Sequence, residues 1–228
     1  DMKIDLMKIG VPEDKIVVHY HGIHTANFDM PRNYQLTGGI LNLLTIASFR
    51  EKKGHITVLK ALKTISQNRP DIKFNYHIIG SGPLEGELKT FISSNNLTDK
   101  VIFHGLVKHG EQMKKAIQSA DIFLHPSVTT NSNDKEGIPG AIVEAMAAGL
   151  PVISTNHAGI PAVIENGQNG LLITERDDDH LAKHMVDLFE NEERREELGT
   201  AAKKYAMTNL DFLMKAKDLQ KIYKTLLN

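Results

Sequence analysis

The chain contains no cysteine in 228 residues. Disulfides, thiol nucleophiles and cysteinyl zinc sites are therefore excluded. It also lacks net charge, with 27 Lys and Arg against 28 Asp and Glu, and it has no Lys/Arg block. That argues against a nucleic-acid partner, which would leave a basic footprint, while a weak membrane-surface contact stays open. No apolar run is long enough to span a bilayer, and no signal-peptide pattern opens the chain. No internal repeat, low-complexity tract or Gly-x-Ser-x-Gly elbow appears. The first residue is Asp1 rather than Met, which reads as a fragment of a longer protein.

What remains is an ordinary soluble composition, 41% hydrophobic, enough for one α/β domain with an appendage. Met2 to Ile9 predicts a short helix and Lys15 to Tyr20 a strand. Residues 25 to 39, mixed and polar, read as a linker. From Ile40 a strand–helix rhythm begins. Strands are predicted at 40–49, 73–79, 101–104, 121–124, 151–154 and 171–173, and the first is nearly all apolar, as a strand covered on both faces should be. Helices are predicted between them, with Val58, Leu59, Leu62 and Ile65 forming one stripe. The end of the chain is helical, with Phe212, Ala216, Leu219, Tyr223 and Leu226 on a terminal apolar face. This pattern predicts an α/β fold with a doubly wound, Rossmann-like parallel sheet. Ligands on such sheets bind outside the carboxyl ends of the strands, where the glycine-bearing loops gather.

The organising stretch runs from Glu136 to Pro151. Gly137, Ile138, Pro139 and Gly140 make a kinked entry to a helix over Ala141 to Ala148. Pro is tolerated there because its missing N–H would be unpaired anyway. Gly149 suits the left-handed closing position, and Pro151 bars continuation. The open amino end presents free N–H groups and about half a positive charge, which favours phosphate. Glu136 stands before that end and Glu144 about one turn inside it. A nucleoside-diphosphate sugar fits: hydroxyls, diphosphate, ribose. A solvated loop Glu and a water-facing helix Glu are the bland alternative, although Glu144 has apolar sequence neighbours and would need partners if buried.

Other candidates carry alternatives too. Gly80-Ser81-Gly82-Pro83 follows a strand, but the third glycine of a dinucleotide fingerprint is replaced by Glu85. Its glycines serve either a tight turn or close ligand approach. Arg50 and Lys53 end a strand and suit phosphate, or they are solvated. Asp177 to Asp179 fits helix capping better than a metal site. His180 and His184 lack a third ligand. His104 and His125 end strands and border the cleft or serve as satisfied structural histidines. Glu136 and Glu144 as a glycosidase pair sit poorly with the phosphate geometry between them.

Taken in order, Glu136-x7-Glu144 inside EGIPGAIVEAMAAGLPVIST, EKKG at 51–54, GSGP at 80–83, FHGLV at 103–107, ADIFLHPS at 120–127 and NHAGIPAVIENGQNGLLI at 156–173 resemble the carboxy-terminal half of retaining glycosyltransferases of family 4, also called group 1, with the two-domain GT-B fold. The SVTT loop and LLITERD look most like bacterial exopolysaccharide transferases of the colanic-acid type. Two positions depart from the family: Ala47-Ser48 stands where Gly-Arg is usual, and Ala162 where Glu often follows GIP.

The resemblance implies a nucleotide-sugar donor, UDP- or GDP-linked, a saccharide or lipid-linked acceptor, and transfer with retention and without a metal or other cofactor. It implies that Glu136 and Lys53 are catalytic and that Glu136 holds sugar hydroxyls. Lys53, with Arg50 as a substitute cation, and the amides of Gly137 to Gly140 hold the diphosphate, with Gly82 close by. Glu144 holds the ribose diol, and Val107 lines the base. It implies a cytoplasmic protein, peripheral at most at the inner membrane face. Residues 1–37 become the tail of an acceptor domain and a linker, 38–210 the donor domain, and 211–228 a helix packing back on the first domain. A sugar-nucleotide 2-epimerase and an inactive nucleotide-sugar-binding module remain alternatives.

Overall fold

The computed structural model describes residues 2–227, with the side chains of 3–225. Helix α1 (Met2–Lys8) is followed by an irregular strap. The repeating unit then runs β1 (Ile40–Ile46), α2 (His55–Asn68), β2 (Lys73–Ile79), α3 (Glu85–Ser94), β3 (Val101–Gly105), α4 (Glu111–Ser119), β4 (Ile122–His125), α5 (Gly140–Ala147), β5 (Val152–Thr155) and β6 (Leu171–Ile173). Helices α6 (Asp178–Glu190), α7 (Glu192–Asn209) and α8 (Phe212–Leu227) close the chain.

All six strands pair in parallel, in the order β3-β2-β1-β4-β5-β6. The order reverses between β1 and β4, so the helices that follow these two strands, α2 and α5, lie on opposite faces of the sheet and leave a crevice at the strands' carboxyl ends. The sheet separates two cores. Leu41 and Leu43 face Val58, Leu62, Leu88, Leu181, Met185 and Leu188 of α2, α3 and α6. Leu44 faces Met113, Ile117, Ile142, Met146 and Ala202 of α4, α5 and α7. Strands β4 and β5 are buried throughout, as central parallel strands must be.

Helix α5 ends as its sequence predicts. Gly149 takes φ +72°, its N–H bonds to Met146 O (2.9 Å), and Leu150 N–H bonds to Ala145 O (2.9 Å). This is the paired closing motif that glycine favours. Asp177 caps α6, accepting from the His180 N–H at 3.0 Å, so the acidic run acts as a cap.

Two segments differ from expectation. Lys15 to Tyr20 is not a strand. Lys15 closes a short 3-10 turn, and Val17 and Val18 are 58% and 50% exposed. β-branched residues favour extension only where a ladder accepts their backbone, and the bridge in this region forms instead at Ile23, opposite Asp211. The segment read as a linker is strapped down. Arg32 donates to Ala148 O, Ala120 O and Ile117 O, and the Tyr34 hydroxyl donates to Gly149 O. Arg195, 2% exposed, reaches back to Tyr34 O from α7. On the terminal helix Phe212, Leu213 and Tyr223 are exposed, while Leu226 lies outside the described side chains.

Candidate functional site

The loops after β1 and β4 meet at the crevice. Their approach is close because glycine stands where a side chain would collide. A Cβ on Gly54, at φ +70°, would run into the carbonyl of Pro126; between the loops after β1 and β2, one on Gly80 would run into the carbonyl of Ala47. Gly82 belongs to the same contact: its Cβ would sit 2.7 Å from the backbone N and O of Phe49. Loop-to-loop packing therefore explains Gly82, independently of any ligand. Gly137 and Gly140 differ. Added side chains there would meet nothing within 4 Å, and neither residue has a positive φ. The surface beside them is open.

Lys53 and Glu136 come together across this crevice. Lys53 Nζ donates to Glu136 Oε2 at 2.8 Å, and Lys52 Nζ stands 3.7 Å from Oε1. Lys52, which the sequence reading quoted only within a motif, also pairs with Asp134 at 3.0 Å. The Glu136 side chain is 9% exposed, and its Oε1 makes no hydrogen bond. Glu136 is thus a buried carboxylate balanced by two cations rather than a solvated loop residue. Four residues on, α5 begins with no side chain capping it, which leaves its first amides free for an anion.

Glu144 is half-buried on α5. Burial raises its pKa above the usual carboxylate value, with His109 opposing. Val107 is partly buried against the α5 side of the core. Arg50 is exposed at the start of the turn carrying Lys53. The structure thus joins Lys53 to Glu136 and leaves Arg50 outside their ion pair.

Beneath the ion pair lies a polar floor. His125, 1% exposed at the end of β4, has no partner for either ring nitrogen. Burial drives its pKa well below the ordinary imidazole value, helped by Lys53, His55 and His157. His55 is lowered to about 4, chiefly by burial; its Nε2 bonds to Ser48 O and its Nδ1 is unpartnered. The satisfied-histidine alternative does not describe His125. His104, by contrast, is exposed and pairs with His77 at 2.9 Å. Among the described residues, the unpartnered buried side-chain atoms are those of His55, His125, Ser127 and Glu136, and all lie at this edge.

His157 and Glu175 were not singled out from sequence, although both stand in quoted motifs. The Glu136 N–H bonds to His157 Nε2 (3.1 Å), and His157 Nδ1 lies 2.6 Å from Glu175 Oε1. Glu175 also accepts from the N–H and hydroxyl of Thr129.

A groove of about 780 Å³ opens at the opposite, amino-terminal edge, lined by Arg32, Asn42, Asn75, His77 and Asp121. Its buried polar groups are satisfied: Asp121 accepts from the N–H and side chain of Asn42. The crevice is preferred because open parallel sheets bind at their carboxyl edge and because the unpaired polar atoms gather there.

Comparison with known proteins follows the same line. The family model for glycosyl transferases group 1 matches residues 32–205. An amylovoran biosynthesis glycosyltransferase of Erwinia amylovora is 40% identical over 187 residues, which cover 82% of this chain and 45% of that protein. WcaL of Escherichia coli K12, named for colanic acid biosynthesis, is 38% identical over 181 residues, 79% of this chain and 44% of its own length. The chain spans about half the length of these curated relatives. A crystal structure of HepE from Anabaena, in complex with UDP and glucose, superposes with a TM-score of 0.82 at 20% identity, covering 98% of this chain and 60% of that one. A glycosyltransferase from Rickettsia africae superposes at 0.83, also at 20% identity, covering all of this chain and 62% of that one. The two structures share the fold with this chain.

Proposed function

Because the chain belongs to the group 1 glycosyltransferases, we propose that its crevice binds the nucleoside diphosphate of a UDP- or GDP-linked sugar. The protein then transfers the sugar to a saccharide or lipid-linked acceptor with retention of configuration and without a metal. The observation that carries this reading is the Lys53–Glu136 pair, 2.8 Å apart and partly buried near an uncapped helix start. A cation, free amides and a carboxylate with one unengaged oxygen suit a diphosphate joined to a polyhydroxyl ring.

In this reading the bond from the anomeric carbon to the diphosphate oxygen breaks. Negative charge gathers on the leaving phosphate, and Lys53 with the N–H groups of Gly137, Ile138 and Gly140 stabilises it there; such preorganised stabilisation is usually the largest catalytic term. Glu136 holds sugar hydroxyls. The acceptor hydroxyl attacks from the same face and gives its proton to a leaving phosphate oxygen. Glu144 takes the ribose diol, whose two O–H donors replace solvation lost on burial. Val107 borders the base, and Arg50 reaches the phosphates only by swinging inward. That HepE holds UDP and glucose in a like fold supports a nucleotide at this edge.

Calorimetry of the chain against UDP and GDP tests the proposal. One of them binds, and Lys53→Ala weakens it by about ten- to a hundredfold, the range for losing a charge-assisted hydrogen bond. Failure of both nucleotides to bind overturns the donor-site reading. Unchanged affinity in Lys53→Ala removes Lys53 from it.

A further inference from the structure

Building on the donor-site reading, we propose that His157, held by Glu175, is a positioning residue for Glu136 and works only as its neutral, Nδ1-protonated tautomer. The directions of the hydrogen bonds require this. The Glu136 backbone N–H can only donate, so Nε2 of His157, 3.1 Å away, must accept. The ring proton is then on Nδ1, which faces Glu175 Oε1 at 2.6 Å. The His157 side chain is 1% exposed, so both nitrogens are shielded from bulk solvent.

Glu175 also closes the other end of the loop. Its Oε2 accepts from Thr129 N–H at 2.8 Å and its Oε1 from the Thr129 hydroxyl at 3.0 Å. Arg176 adds a bond to Thr129 O at 2.6 Å. Thr129 starts and Glu136 ends the polar loop after β4, so one His–Glu pair on the neighbouring strand ends fastens both of its ends. Burial works to raise the Glu175 carboxyl, yet the bonds from His157 and Thr129 outweigh it and leave its pKa below the usual value. It is therefore an anion facing the Nδ1 proton.

A second observation is independent of these bonds. Non-glycine residues with positive φ, among the described residues, are Asn96, Asn133, Ala158 and Arg176. Two of the four, Ala158 at +47° and Arg176 at +64°, directly follow His157 and Glu175. Alanine and arginine take this region at a cost of about 1–2 kcal/mol each. Both members of the pair are thus followed by a residue in a strained backbone conformation. His157 touches no reacting atom in this scheme. It fixes the Glu136 amide, and so decides whether the carboxylate meets Lys53.

Ring-nitrogen NMR of the histidine-labelled chain shows His157 neutral and protonated at Nδ1; a proton on Nε2 overturns the proposal. In calorimetry with UDP-glucose and GDP-mannose as probes, whose sugar hydroxyls Glu136 holds in this reading, His157→Ala binds the better of the two about tenfold more weakly, as expected for one lost hydrogen bond. His157→Gln recovers most of this, because its amide oxygen still accepts from the Glu136 N–H. This recovery separates positioning from general destabilisation, and the thermal midpoint of His157→Gln confirms that it is folded. Glu175→Gln, which frees the ring to turn, weakens binding to an intermediate degree. Affinities of His157→Ala and Glu175→Gln within about twofold of wild type overturn the clasp alone. A wild-type chain that binds neither nucleotide overturns the donor-site reading itself.

Discussion

Arg32→Ala tests whether the irregular strap is an integral part of the domain. The guanidinium donates Nε to Ala148 O (3.0 Å), Nη1 to Ala120 O (2.7 Å) and Nη2 to Ile117 O (2.7 Å). These carbonyls end α5 and α4, where the helix leaves its last C=O groups unpaired and where a cation complements the dipole. Hydrogen bonds from a charged donor contribute about 1.5–3 kcal/mol each, but three on one group do not add. Arg32 also borders an open groove, so water can reach some of the carbonyls once the side chain is gone. The expected loss is about 3 kcal/mol. For a chain of this size that lowers the thermal midpoint by about 6–12 °C. Urea unfolding of wild type and variant measures it, with equal m-values required for the comparison. Arg32→Lys recovers less than half, because one ammonium cannot fork onto three carbonyls as the planar guanidinium does. A loss under about 1 kcal/mol at unchanged m would show that the strap lies on the domain without bracing it.

Glycine substitutions separate packing from ligand access. Gly82→Ala forces a methyl within 2.7 Å of the Phe49 backbone and costs about 1–3 kcal/mol in urea unfolding. Gly137→Ala meets no atom, leaves stability within about 0.5 kcal/mol, and lowers UDP or GDP affinity; equal effects of the two variants on stability would contradict this division. For Glu144, burial raises the folded-state pKa above the ordinary 4.5. The folded chain therefore holds this proton more tightly than the unfolded one, and the residue's contribution to stability falls as pH rises from 4.5 through the folded value. Glu144→Gln accordingly raises the thermal midpoint at pH 7 with little effect below pH 4.5, while weakening nucleotide binding. A lower midpoint at pH 7 would show that the carboxylate is paired rather than desolvated.

The sheet was legible because the central strands β1, β4 and β5 are largely buried and read as mostly apolar runs, and because glycine and proline punctuate the turns. Strand β2 has the bounds its sequence predicts, Lys73–Ile79, as does β6, Leu171–Ile173. Lys15 to Tyr20 misled because β-branched composition reports the fitness of a side chain for a sheet, and says nothing of whether a partner strand exists. Arg32 was invisible for another reason: its acceptors are carbonyls 85 to 116 residues away, and backbone acceptors leave no mark in sequence. His157 and Glu175 were hidden likewise, since one of the contacts that matter is to a main-chain N–H. Lys53 and Glu136 were legible as charges in glycine-bearing loops after strands. Their 83-residue separation gave no sign that they pair, which follows from β1 and β4 being neighbours at the point where the strand order reverses.

The charges in the crevice are arranged in layers, and this bears on how a diphosphate would enter. Lys52, Lys53 and Glu136 lie above, while His55 and His125 below are held neutral by burial. Protonating either imidazole would put a cation beneath Lys53, and the two would repel. Keeping the floor neutral confines the positive charge to the two lysines, where a ligand can reach it. With Glu136 and Asp134, the salt-bridge partners of the two lysines, counted, that layer carries no net charge, so a diphosphate needs a cation released from its partner. A donor can be accommodated by exchange: phosphate oxygens replace Glu136 Oε2 on Lys53, and the released carboxylate turns to the sugar hydroxyls. Glu136 Oε1, buried and without a hydrogen bond, is already short of a donor, and a hydroxyl supplies one. The amide clamp from His157 makes the exchange economical, because the side chain can change partners while its backbone stays fixed. On the proposed donor reading, the ion pair would be the arrangement that the donor displaces, with the two carboxylate oxygens unequal because only Oε2 accepts a hydrogen bond.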